Sequence, residues 1–317
     1  MSKISKTLFQ SFLALIVIVI GNYVIVAQNT LTGDCKAEVK SEKTDKIQLS
    51  FSRSSERGNN NMSSGFSFSD LKGITREQAL AGGQIRFSLE REAGTILCDA
   101  NFVNGKGSGS FTFTANQSFV EAMKSRGFDF EKNDSWKNKN KDKGDDEDFN
   151  DGNRTVDRLF AATTLNVTTA LADDLLASNF GKLDTGDLFK AAIFKVDGKF
   201  AREMKDSGFK NLTFDDLVKA RIFKVDAEFV KDVASKGFSD EPFESLVKMR
   251  IFKITPEFIS EIRAEGFEKI DIEQLVKFKI FNINGEFIRQ ARSEGVPMEV
   301  EKLVQKRIGV YRMKDLD

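Results

Sequence analysis

Histidine is absent from this 317-residue chain. That removes the commonest general base, the Ser-His and Cys-His nucleophile pairs and the commonest zinc ligand. Proline occurs only three times, a scarcity of chain breakers that suits regular helices and strands. Neither sign of charge is in excess. Forty-eight basic residues balance 48 acidic ones, which gives no electrostatic reason to expect DNA, RNA or an anionic membrane as the main partner. A phosphate-cradling glycine loop is missing too: Gly105-x-Gly107-x-Gly109 lies on a hairpin before a strand, not before a helix. Asp146-x-Asp148-x-Asn150 begins like a calcium loop, but Asp151 stands where glycine is required and no closing glutamate follows. HExxH and CxxC do not occur, and nothing positions a carboxylate pair for hydrolysis. The expectation is a non-enzyme with no catalytic, cofactor-binding or metal-ligating residues.

What is present begins with a leader. Lys3 and Lys6 precede the apolar run Phe12–Ile20, and Val24-Ile25-Val26-Ala27 offers a small residue before Gln28. Residues 1–27 therefore read as a signal peptide and the protein as secreted or periplasmic. The alternative is a retained anchor, but Phe12–Ala27 spans only 16 residues and includes Asn22, short of the roughly 20 that cross a bilayer. Both cysteines, Cys35 and Cys98, lie beyond that site. In an oxidising compartment they can form a disulfide, the alternative being two free thiols. Asp34 immediately before Cys35 rules out a lipobox.

Residues 28–115 read as an antiparallel β domain. Ile47, Leu49 and Phe51 share one face, as do Ile85, Phe87 and Leu89, then Ile96, Cys98, Ala100 and Phe102, with Asn104-Gly105 as the turn before Phe111 and Phe113. The polar stretch Arg53–Ser64 reads as a loop, and the segment around Cys35 as a loose leader that a disulfide would tie to the sheet.

From residue 116 to 317 the period changes. Phe200, Phe229, Phe258 and Phe287 recur every 29 residues, in segments that align without gaps, and earlier copies fall at Leu171 and Phe119. A period of this length marks a solenoid. Each unit resolves into helices A and B. Helix A starts at Asn116, Thr168, Asp197, Asp226, Thr255 and Asn284, all N-cap residue types, with Pro256 at the position that tolerates proline. It stops at Gly127, Asn179, Gly208, Gly237, Gly266 and Gly295, all residues that accept the left-handed conformation. Helix B carries Leu188, Leu217, Leu246 and Leu275, then Ile193, Ile222, Ile251 and Ile280. Thr213–Asp216 and Asp271–Gln274 look like capping boxes at its start. The fold class is thus α+β: a small antiparallel β domain followed by an α-solenoid of about six 29-residue helical hairpins. A charged, low-complexity stretch, 131–154, interrupts the array and reads as a disordered loop.

Three phenylalanine ladders, led by Phe200, Phe209 and Phe194, read as core. A basic ladder runs along helix B: Lys190, Lys219, Lys248 and Lys277, with Arg221, Arg250 and Lys279 two residues on. It complements the helix dipole, and it would also form a track for a protein partner with an acidic segment. The sequons at Asn116, Asn153, Asn166 and Asn211 matter only in a eukaryotic source.

Arg250-Ile-Phe-Lys-Ile-Thr-Pro-Glu-Phe-Ile259, continuing to Ile262-Arg-Ala-Glu-Gly-Phe267, resembles the repeat of BlaR-like bacterial sensor peptidases and their stand-alone exported relatives. The stretch from Gly82 to Phe113 looks like the β segment before those repeats. The similarity covers roughly residues 80–310. This chain has Ile251-Phe252-Lys253 where that repeat has Ile-His-Gly, and it has no peptidase motif, so the resemblance implies architecture and not catalysis. The function expected is an exported, non-enzymatic interaction or scaffold protein. The alternative is a sensory or regulatory module that responds to an extracellular ligand.

Overall fold

The computed structural model describes residues 30–40, 45–55, 58–132, 152–209 and 211–312. The predicted leader lies outside the described residues, as do 133–151 of the charged stretch and the calcium-like triplet. Residues 152–154 of that stretch are not loop but the first turn of a helix. The chain divides into two compact units at Ile193–Phe194. It is an α+β protein: a seven-stranded antiparallel sheet followed by helices.

In the first unit the strands are β1 (Thr30–Val39), β2 (Lys46–Ser55), β3 (Gly58–Ser67), β4 (Leu71–Lys72), β5 (Gly83–Arg91), β6 (Gly94–Val103) and β7 (Lys106–Ala115). Their order is β3-β2-β1-β7-β6-β5-β4, antiparallel throughout. Two expectations are corrected here. The leading segment is a central strand, because Leu31, Cys35 and Ala37 alternate with exposed Thr32, Asp34 and Lys36 and bury one face. The supposed loop Arg53–Ser64 is largely the β2–β3 hairpin, closed at Ser55 opposite Gly58. Its polar side chains bond one another across the strands, Gln48 to Ser63 and Ser50 to Ser63 at 2.8 Å each, so apolar alternation was never needed there.

A short helix, α1 (Arg76–Ala81), is capped by Thr75 and packs against β6, β1, β5 and β7. Helix α3 (Gly152–Leu165) covers β6, β7 and β1. It drives Phe160 among Phe51, Phe111 and Phe113, with ring centroids 5.2 to 5.4 Å apart. Each such aromatic pair contributes on the order of 1 kcal/mol beyond area burial. The unit also holds α2 (Gln117–Lys124), α4 (Thr169–Ala177) and α5 (Thr185–Phe194), which ends at the division.

The second unit alternates α6 (Gly198–Asp206), α7 (Phe214–Phe223), α8 (Ala227–Ser235), α9 (Phe243–Ile251), α10 (Pro256–Ala264), α11 (Ile272–Ile280), α12 (Gly285–Ser293) and α13 (Val300–Arg307). Even-numbered helices pack on even and odd on odd, α6 on α8, α10 on α12, and α7, α9, α11 and α13 in series, and α12 also packs on α13. Helices of eight to ten residues are too short to persist alone, so this packing holds them.

Local chemistry sets their ends. Asp197, Asp226, Thr255 and Asn284 each accept the backbone N–H of the ladder phenylalanine three residues on, Phe200, Phe229, Phe258 or Phe287. One bond therefore starts the helix and orients the residue that fills its core, for about 1 kcal/mol per cap. Thr168 caps α4 in the same way, and Asn116 caps α2. The predicted stops all have positive φ, from 56° at Asn179 to 111° at Gly208. Phe200, Phe229 and Phe258 are buried, whereas the ladder of Phe194, Phe223, Phe252 and Phe281 is only half-buried.

Candidate interaction surface

On α7, α9 and α11 the leucines Leu217, Leu246 and Leu275 are buried and fix which face of each helix points inward. Two residues on stand the predicted lysines. Lys219 pairs with Glu244 on the next odd-numbered helix, Lys248 with Glu273 and Lys277 with Glu301. The Glu244 carboxylate holds the Lys219 ammonium above its ordinary pKa. These ion pairs are partly exposed and individually worth about 0–1 kcal/mol, but they repeat at every step and fix the register of one helix against the next. Lys190, in the first unit, pairs within its own helix with Asp187 at 3.1 Å.

The second row of the ladder behaves differently. The guanidinium of Arg221 lies 3.7 Å from the centroid of the Phe200 ring, that of Arg250 3.7 Å from Phe229, and the Lys279 ammonium 3.7 Å from Phe258. Burial lowers the Lys279 pKa. Arg221 and Arg250 have no carboxylate partner among the described residues. The predicted ladder thus splits in two: lysines joined to the next layer, and cations stacked on rings, of which Arg221 and Arg250 pair with no carboxylate among the described residues.

On the even-numbered layer Arg263 donates to the Lys236 carbonyl at 2.5 Å, and Arg292, 29 residues later, to the Glu265 carbonyl at 2.6 Å. Each arginine satisfies a C-terminal carbonyl of the preceding even-numbered helix. The Glu265 carboxylate also bonds Arg289 and Arg292, which holds it below its ordinary pKa.

Two features escaped the reading of the sequence. Ile222, Ile251 and Ile280 are 49, 50 and 53% exposed, although each sits five residues after a buried leucine. Lys195, Lys224 and Lys253 adopt left-handed backbone, with φ of 59°, 58° and 55°. The 29-residue spacing of both rows was visible, and a helix places residues five apart about 140° apart on its surface, so the isoleucines lie away from the buried leucines.

In the first unit, Cys35 and Cys98 lie on strands separated by β7, yet their Sγ atoms are 2.8 Å apart and buried. On the intervening β7 a Cβ at Gly109 would fall 1.9 Å from the Asp99 carbonyl oxygen, so that position admits only glycine. Contact with Cys35 and burial push the Cys98 thiol far above its usual range, which suits a structural sulfur and not a nucleophile. A cavity of about 270 Å³ is lined by Leu31, Phe51, Met62, Phe111 and Phe160, with the Arg53–Asp157 ion pair at 2.6 Å on its wall. Among the described residues no cluster of three or more Cys, Asp or Glu side chains is placed to hold a metal. Among them, too, no helix is long and apolar enough to cross a membrane.

No protein-family model, curated protein or solved structure matches this chain.

Proposed function

We propose that this is an exported, non-enzymatic interaction protein that presents stacked helical hairpins as its binding surface. Its helical part is read as six hairpins of one repeat family, α2/α3 through α12/α13, an α-solenoid repeat whose layers hold one another within the second unit. Shared caps and stops support that reading, as do the layer-to-layer ion pairs of Lys219, Lys248 and Lys277. Export rests on the leader and on the two cysteines beyond it.

One observation carries the functional reading: the exposed row of Ile222, Ile251 and Ile280 at one register on a layer whose leucines Leu217, Leu246 and Leu275 are covered. Single exposed isoleucines are ordinary on soluble proteins, whereas a contiguous apolar strip on a regular surface points to a partner. The protein partner is expected to be complementary in charge to the unpaired cations of the same helices. The test is affinity capture from envelope material of the native host, with Ile251→Glu and Lys253→Glu variants beside the wild type. A specific partner that the wild type retains and at least one variant loses supports the reading. Retention by none of the three proteins, or equally by all three, contradicts it.

A second reading, a sensory module for an extracellular ligand, is favoured by the aromatic cavity beneath α3. At about 270 Å³ it falls just below the usual 300–1,000 Å³ of ligand pockets, which fits a small apolar molecule. A rise in melting temperature with small aromatic ligands, abolished by Met62→Trp, would favour it.

A further inference from the structure

Lysine is an uncommon choice for left-handed backbone, where it costs about 1 kcal/mol more than glycine. The chain uses glycine at the stop of every even-numbered helix of the second unit: Gly208, Gly237, Gly266 and Gly295. At the corresponding stop after α7 and α9 it uses Lys224 and Lys253, as it does with Lys195 before α6, whereas α11 ends at Asn282 and α13 at Gly309. Backbone strain that repeats at one register, where an unstrained residue would serve, marks side chains kept for another purpose.

The surroundings indicate what that purpose is. Lys224 and Lys253 are exposed and have no ion-pair partner among the described residues. Each follows an exposed isoleucine by two residues. On the other side of that isoleucine stands Arg221 or Arg250, which also lacks a carboxylate. The edge of the odd-numbered layer therefore carries the same unit on α7 and α9: an apolar side chain flanked by cations without anions, while α11 keeps Lys279 and Ile280 but has Asn282 at its stop. Phe223 and Phe252, half-buried between them, widen the apolar strip.

Spacing selects the shape of the occupant. Packed helices lie about 8–10 Å apart. An extended polyproline II chain turns once in three residues and advances about 9.3 Å in doing so, so every third side chain returns to the same face at the interval of one layer. A β-strand puts every third side chain on the opposite face. We propose that the edge carrying Ile222, Ile251 and Ile280 docks an extended acidic segment of a partner protein, with an apolar residue at every third position and carboxylates between. This rests on the reading of the second unit as stacked hairpins, and it names the partner's chemistry.

The test uses the mature full-length chain and a fluorescent peptide of repeated Leu-Glu-Pro triplets, read by anisotropy at low and high salt. Binding that weakens with salt is expected. It should weaken by about tenfold or more with Ile222→Glu and Ile251→Glu together, and for a Leu-Lys-Pro peptide or one with its leucines at every second position. Lys224→Gly and Lys253→Gly separate binding from folding. They relieve the strained backbone, so the melting temperature should rise while affinity for the acidic peptide falls several-fold. A rise in melting temperature with unchanged affinity would make these lysines merely tolerated and overturn the assignment. Equal affinity for the acidic and basic peptides, or no binding by a folded wild type, would do the same. If the isoleucine variants lose helix content or melt early, the stacked-hairpin reading is what fails. If a partner is captured from the envelope but the peptide and the edge variants have no effect, the interaction reading stands and this edge assignment falls.

Discussion

The Arg250 guanidinium lies 3.7 Å from the centroid of the Phe229 ring, and 29 residues earlier Arg221 stands over Phe200 at the same distance. In each pair an odd-numbered helix reaches back to the core phenylalanine of the even-numbered helix before it in the chain. The contact joins the two layers, as the Lys–Glu pairs join helices within one layer. Arg250→Ala is expected to destabilise the second unit by about 1 kcal/mol, measured by urea denaturation. Arg250→Lys should lose less, since Lys279 makes the same contact with Phe258.

Asp226 accepts the N–H of Phe229 at 2.9 Å, so a single side chain starts α8 and sets the ring that Arg250 covers. Asp226→Ala should cost about 1 kcal/mol and Asp226→Asn much less, because asparagine caps equally well. Equilibrium denaturation of the three proteins measures the difference. An alanine variant as stable as the wild type would mean that packing alone orients Phe229.

Glu265 supplies a pH dependence. Its carboxylate is held below the ordinary value of 4.5 by Arg289, with Arg292 adding to the effect. A carboxylate whose pKa is depressed by folding stabilises the protein above its unfolded pKa, and that stabilisation is lost as pH falls through the folded value. Glu265→Gln should therefore be less stable than the wild type at neutral pH, with the gap closing below about pH 4.5. Denaturation midpoints of both proteins across pH 3–7 test the sign. A gap that is constant with pH would show that the carboxylate charge contributes nothing.

Cys35 and Cys98 are placed to be joined in an oxidising compartment. A bond between them would close a loop of about 64 residues, worth on the order of 4 kcal/mol in the chain-entropy account. Protein recovered from the native exterior and denatured without reductant should show no reactive thiol, and reductant should lower its melting temperature. Two free thiols per chain would place it in a reducing compartment or show that the sulfurs stay unbonded.

Much of this fold was legible because repetition converts weak local signals into strong ones. One asparagine or aspartate is poor evidence for a cap. Asp197, Asp226, Thr255 and Asn284, each three residues before a phenylalanine, are good evidence, and all four bonds form. Strand β1 was legible in principle, since Leu31, Cys35 and Ala37 alternate with polar residues, but Gly33 broke the apolar run. The β2–β3 hairpin was not legible, because serine, asparagine and glutamine pair its strands. The basic ladder was seen as one row and is two, since only three dimensions separate Lys248, beside Glu273, from Arg250, above Phe229. Isoleucine exposure was hidden for a related reason: Leu246 and Ile251 are equally apolar in a sequence, and only the neighbouring helices decide which is covered.

The claim on which the surface depends is that the hairpins of the second unit hold one another, so that side chains 29 residues apart share one edge. Native-state hydrogen exchange of the wild type and Leu246→Ala measures this directly. Leu246 is buried in α9, and its truncation should cost about 3 kcal/mol. The account requires amide protection to fall by similar amounts in α7, α9 and α11, because they open as one block. Loss confined to α9, with α7 and α11 protected as before, would mean that the helices are held separately and that no continuous edge exists.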